Sequence, residues 1–350
     1  MPIPKQPELS DILKAGNQPP GEVIGSSRAG KKLLAYHFGE GSLNVSLIGG
    51  CHADEPTGPI FLNHLVSYLS NLKSDAPLLR EISWWIVPHV NPDGAETNSL
   101  WYHHNDHQFD LVKNLKFSIR ELPGDDVEFG FPLTPNIPAL RPENQAVYDF
   151  WKRTPAGFDL HVSLHGMLTA YGPWFLLDKD FVAYSADMIH NCQQKVLQMG
   201  YQLHDVDRKG EKGFFRLAEG FGSRPDSKAM RDYFLALNDA QMASKFHASS
   251  MESIRSLGDN CLTLVTEMPL FIVPRISHNL EWPDQTLNSW SQQFQHWKLL
   301  LEKDQLTPSQ LKREAAAKGL VAMPVQDQMY LQWFYIWSGI EQCLRKDRGD

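Results

Sequence analysis

The sequence predicts an α/β protein, with a mixed, mostly parallel twisted sheet and helices on both faces. Three observations carry that reading. Runs of strand length recur at Val45–Ile48, Ile82–Val87, Phe158–Leu164 and Cys261–Thr266, and short apolar runs of this kind suit strands covered on both faces. Between them lie stretches with apolar residues at helical spacing, such as Phe61, Leu65, Leu69 and Leu72 within 57–72. The two kinds of stretch alternate along the chain, which points to helices layered on either side of one sheet.

The elements are read in chain order. Residues 1–20 are polar and proline-rich and are expected to form a loosely attached arm. Residues 23–38 read as two short strands around a glycine-containing turn. The run from Asn44 is a core strand that breaks at Gly49-Gly50 and presents His52 and Glu55 on the turn before the helix at 57–72. The buried strand ISWWIV at 82–87 ends in PHVNPDG, a strong turn signal at Asn91–Gly94. Residues 100–141 are irregular and carry His103, His104, His107, an acidic turn at Gly124–Asp126 and several aromatics. Long irregular segments inside compact domains are commonly functional, and the aromatics favour an ordered, pocket-forming loop. A helix at 143–152, a strand at 158–164 ending at His165-Gly166, a helix at 181–199 stopped by Gly200 and a strand at 261–266 ending at Glu267 follow. From Gln285 the chain reads as helical, with Thr307-Pro308 as a start and Gly319 as a stop. Trp333, Trp337, Ile340 and Leu344 share one face of the last helix, expected to pack on the main domain.

The bulk numbers set bounds. A chain of 350 residues, 42% hydrophobic and 21% charged, has the composition of an ordinary globular protein. A net charge of −8 argues against nucleic-acid or anionic-membrane partners. No apolar run approaches the roughly 20 residues of a membrane helix, and the N-terminus lacks signal-peptide features. Cys51, Cys192, Cys261 and Cys343 are scattered, which fits reduced thiols and a cytoplasmic location. Oligomeric state is left open.

Three predicted strand ends carry chemistry: His52 with Glu55, then His165, then Glu267. Carboxyl ends of parallel strands share one edge of a sheet, where ligands bind. Two histidines and a glutamate are a ligand set for catalytic zinc, with the fourth position left to water. A further carboxylate beside that water could take its proton. Glu267 suits this role, because burial at the end of an apolar strand would raise its pKa. His161 lies four residues before His165, about 13 Å along a strand, so it reads as a core or supporting histidine. Asp93 reads as a turn residue, and the histidines at 103, 104 and 107 as a solvated or pocket-lining loop.

Five pieces occur in order: IGSSRAGKKL from Ile24, GGCHADEPTG from Gly49, NPDG from Asn91, VSLHG from Val162 and LVTEMP from Leu264. Together they resemble the zinc metallocarboxypeptidase family, as a divergent cytoplasmic member of the carboxypeptidase A-like superfamily. The likeness covers about Gly21 to Ile272. It implies one zinc ion on His52, Glu55 and His165, with Glu267 as general acid/base. The family's DLNR-type motif, whose arginine grips the substrate's terminal carboxylate, has no clean counterpart. Arg120 is the first candidate for that role, followed by Lys113 and Arg141. The family's usual tyrosine upstream of the catalytic glutamate is not apparent, and Met251 is expected to line an apolar side-chain pocket. The implied organisation is an arm at 1–20, a catalytic domain at 21–302 and a C-terminal helical extension at 303–350. The implied activity is removal of C-terminal residues from peptides. Deacylation of N-acyl amino acids, as in aspartoacylase-like relatives, is the alternative, and a metal-free binding protein on the same fold is the third reading.

Overall fold

The computed structural model describes residues 4–102, 107–136, 139–258, 260–275 and 282–346. Its described strands form one sheet: β1 (Glu22–Ser26), β2 (Lys32–Phe38), β3 (Leu43–Gly49), β4 (Ile82–Val87), β5 (Leu160–Ala170), β6 (Trp174–Leu177), β7 (Arg216–Ala218), β8 (Phe221–Ser223), β9 (Leu262–Ile272) and β10 (Val321–Ala322). The order is β1-β2-β4-β3-β5-β9-β6-β8-β7, with β10 added to β9. The centre, β4-β3-β5-β9, is parallel, and antiparallel pairs flank it on both sides. The sheet is therefore mixed with a parallel middle, as the sequence predicts.

Strand alternation sorts side chains between two cores. Trp84 enters the larger core and its neighbour Trp85 the smaller one. The larger core is closed by the helices Thr57–Ser70, Ala186–Gln198, Gln285–Glu302 and Val325–Lys346, and the smaller by Pro142–Trp151 and Ser250–Arg255. The last helix lies directly on the sheet. Trp333 packs on Phe61 and Trp84 at ring separations of 6.0 and 6.5 Å. A Cβ on Gly339 would come within 2.8 Å of a Leu264 methyl, so the glycine lets the helix sit close to the sheet without displacing that side chain. Trp337, Ile340 and Leu344 are buried in the same core, and the apolar stripe faces inward.

Two local expectations change. The N-terminal residues do not hang free: Leu9 and Ile12 are buried in the larger core, and the Trp333 indole donates to the Pro7 carbonyl at 2.8 Å. The strands β5 and β9 also run past their predicted ends, because they keep pairing from His165↔Glu267 to Ala170↔Ile272. His165 and Glu267 thus sit inside strands, not at their tips. Among the described residues no helix is long and apolar enough to cross a membrane.

Candidate active site

The period of two on β5 and β9 builds the floor of the site. Leu160, Val162 and Leu164 of β5 enter the larger core, so His161, Ser163 and His165 project from the opposite face. On β9, Leu262, Leu264 and Met268 enter that same core, leaving Thr263, Val265 and Glu267 on the face with His165. Beyond β3 the chain turns at Gly50, whose φ is +73°. A Cβ there would also meet the His89 ring at 2.6 Å. This turn carries His52 and Glu55, closed by a bond from the Glu55 N–H to the His52 carbonyl at 3.3 Å. The helix that follows is pressed onto β5: a Cβ on Gly58 would lie 2.7 Å from Leu164. That approach brings Glu55 to His165.

The donor atoms converge. His52 Nδ1 is 2.7 Å from Glu55 Oε1, and His165 Nδ1 is 2.9 Å from Glu55 Oε2. The two Nδ1 atoms face each other at 3.2 Å. All three residues offer ligand atoms within 4.8 Å of one another. The charges favour a cation. Burial alone would lower the His165 pKa, but the Glu128 and Glu55 carboxylates raise it well above its ordinary value. Burial would raise Glu55, yet His52 and His165 hold it well below the carboxylate range. Buried carboxylates around facing ring nitrogens call for positive charge at their centre, and this donor set fits zinc.

A second set of groups holds His165 from behind. Its Nε2 is 2.8 Å from Ser163 Oγ and 3.2 Å from Glu128 Oε2, and Cys51 Sγ lies 3.8 Å from Ser163 Oγ. Cys51, Glu128 and His165 themselves form a buried group with ligand-type atoms within 4.8 Å. Burial raises Asp126 to about 6, partly offset by His52. The sequence reading noted only an acidic turn here and missed Glu128. The available signal was two acids two residues apart, Asp126 and Glu128, among apolar neighbours in the irregular segment.

Glu267 is the register partner of His165 on one side and of Trp174 on the other. Burial, and then the charge of Glu55, raises its pKa to about 8, against the pull of His165 and Arg120. A carboxylate raised in this way binds a proton more readily than an ordinary one, as a general acid/base requires.

The remaining candidates separate. Arg120 reaches the cluster, with Nη1 2.9 Å from Asp54 and 3.1 Å from Glu55. Burial would lower its pKa, but Glu55 and Asp54 together raise it above its ordinary value. Arg141 is 2% exposed and engaged by Glu143, Glu121, Asn91 and the Asp125 carbonyl, which leaves it no donor for a ligand. Lys113 stands on the helix Leu111–Phe117, beside a cavity of about 420 Å³ lined also by Phe109, Asp110 and Lys312. Asp93 accepts from Ser27 and Ala29, so it ties the β1–β2 turn to the NPDG turn. His161 is fully buried between Ser46 and Ser250. Met251 packs with Leu176 and Val265, the residue two before Glu267 on the same face. His107 is exposed, and His103 and His104 lie outside the described residues.

Among solved structures, the chain is similar to a metallopeptidase from Shewanella amazonensis, named as putative (15% identity, 71% of this chain and 78% of that chain, TM-score 0.48). Others are the carboxypeptidase A from Helicoverpa armigera (13%, 96% and 71%, 0.48) and a metallo-carboxypeptidase from Pseudomonas aeruginosa (15%, 96% and 68%, 0.47). The zinc carboxypeptidase family matches residues 21–212, a range that contains His52, Glu55, Arg120 and His165 and stops before Glu267. With more than half of its length matched, the chain belongs to the zinc carboxypeptidase family and is a zinc metallopeptidase.

Proposed function

We propose that this protein is a metallocarboxypeptidase that releases C-terminal residues from peptides, with one zinc ion held by His52, Glu55 and His165. The observation that carries the reading is the placement of Glu267 in register with His165, on the same face as the converging donor atoms. When bound, zinc supplies a Lewis acid for the scissile carbonyl and lowers the pKa of water. Glu267 takes the proton of the attacking water and returns it to the leaving amine as the C–N bond breaks. Arg120 contacts the substrate. Its guanidinium already carries Asp54 and Glu55, which favours a substrate oxygen beside the scissile bond over a full carboxylate. Met251, Val265 and Leu176 offer an apolar wall for the released side chain.

The proposed unit is residues 21–302, with a C-terminal extension at 303–350 whose described part packs on it, since β10 pairs with β9 and the last helix fills the larger core. No disulfide joins the four cysteines among the described residues, which supports a reducing, cytoplasmic setting.

The test has two parts. Metal analysis of the purified protein should give one zinc, lost in both His52→Ala and His165→Ala; a His165→Ala protein that keeps its zinc would falsify the ligand assignment. Turnover of an N-blocked dipeptide should exceed that of an N-acetylated amino acid. The reverse preference would make the protein a deacylase on the same fold.

A further inference from the structure

Beyond the metal cluster, the wall next to Glu267 carries two cations in a chain whose net charge is −8. The Arg208 guanidinium carbon lies 4.2 Å from the centre of the Phe214 ring and 5.0 Å from that of the Trp282 ring. Phe214 packs on Trp174 at 6.2 Å, and Trp174 is the register partner of Glu267. Arg208 lies close enough for the Glu267 charge to add a small upward pull on its pKa. Lys212 lies 5.6 Å from the rings of Tyr233 and Phe234.

These cations are short of partners. Their nearest carboxylate, Glu211, is 3.4 Å from Arg208 and 3.9 Å from Lys212, and it also accepts from the Trp282 indole. The Nε of Arg208 is buried with no hydrogen-bond partner. Arg120 and Arg141 differ from Arg208. Arg120 and Arg141 each carry two carboxylates, which outweigh burial and raise both pKa values. For Arg208, burial outweighs Glu211 and the value falls. Lys212 is lowered likewise, by burial and then by Arg208 itself. A desolvated cation with an unused donor costs free energy until an anion arrives. A planar guanidinium clamped on aromatic rings is also pre-organised for a two-point contact with a carboxylate.

We propose that Arg208, supported by Lys212, receives a carboxylate of the substrate beside Glu267. This rests on the peptidase reading and assigns its anion-binding residue. The anion is either the terminal α-carboxylate or an acidic side chain on the terminal residue, and both present the same chemistry to the guanidinium.

The experiment is calorimetric binding of three ligands to the zinc-loaded Glu267→Gln protein, with and without Arg208→Gln. The ligands are N-acetyl-phenylalanyl-leucine, its C-terminal amide, and N-acetyl-phenylalanyl-glutamate carrying an α-amide. Arg208→Gln should weaken the first ligand about tenfold or more and leave the neutral amide unchanged. A loss confined to the third ligand assigns the side-chain carboxylate instead. Equal losses on all three, no loss on either acid, or native binding without preference for the acids over the neutral amide overturns the proposal. Arg208→Lys keeps the charge and stem and loses the fork, so it should bind the preferred acid between the two. It decides the question if Arg208→Gln unfolds. Turnover of the native protein on the first ligand is measured alongside. Absent turnover with selective acid binding counts against the peptidase reading, whereas turnover with unselective binding counts against Arg208.

Discussion

His165 and Glu267 are register partners on the adjacent parallel strands β5 and β9, and both project from the face opposite the larger core. A one-residue slip of either strand would send one of them to the other side of the sheet. The pairing therefore holds a would-be metal ligand and a would-be base side by side without any loop. Glu267→Gln keeps the shape and removes the base. Zinc content and folding should be nearly unchanged while kcat falls by about 10²–10⁴-fold. Near-normal turnover would remove the base role, and loss of zinc would make Glu267 a ligand.

Arg120 bridges Asp54 and Glu55. Arg120→Ala should lower kcat more than it raises KM, because a contact beside the scissile bond strengthens as charge develops there. Free-acid and amidated peptides, where both are cleaved, should suffer alike. A loss restricted to free acids would return the terminal carboxylate to Arg120.

Glu128 faces the Nε2 of His165, the nitrogen turned away from Glu55. Burial would raise its carboxyl, but His165 outweighs burial and the value falls below the ordinary range. Glu128→Gln keeps the volume and removes the charge that orients the ring. Zinc affinity, read by competition with a chelator, should drop about 10–100-fold. An unchanged affinity would reduce Glu128 to a packing residue.

His161 is one of three buried histidines that bear on acid stability. Burial, with Arg224 and His165, lowers it to about 3, and burial lowers His89 and His204 to about 4. The folded chain excludes protons that the unfolded chain binds near the ordinary histidine value. The contribution of these three histidines to stability should therefore fall as pH drops below about 6.5 and keep falling toward the folded values. His161→Gln should flatten this slope by up to about 1.4 kcal/mol per pH unit, measured from urea midpoints between pH 7 and pH 5. Parallel profiles for the two proteins would mean that His161 takes up its proton without unfolding.

Much of this molecule is written locally. The strands at β3, β4, β5 and β9 and the helix Thr57–Ser70 follow from apolar spacing, which a chain carries in any short window. His52 and Glu55 are three residues apart on one turn, so their partnership is legible without a fold. The sequence likewise singled out His165 and Glu267, although it put them at strand ends, because Pro269 and the Gly166 break look like stops from inside a single strand. Only the β5–β9 ladder, pairing residues about a hundred positions apart, carries both strands onward and puts the two side chains on one face. Tertiary structure also sets the arginines apart. Arg120, Arg141 and Arg208 are chemically identical in sequence. They differ in what surrounds them: two carboxylates on Arg120, a buried cage around Arg141, and an unfilled donor on Arg208. Charge compensation and desolvation depend on neighbours from distant segments, so no local pattern could have ranked them.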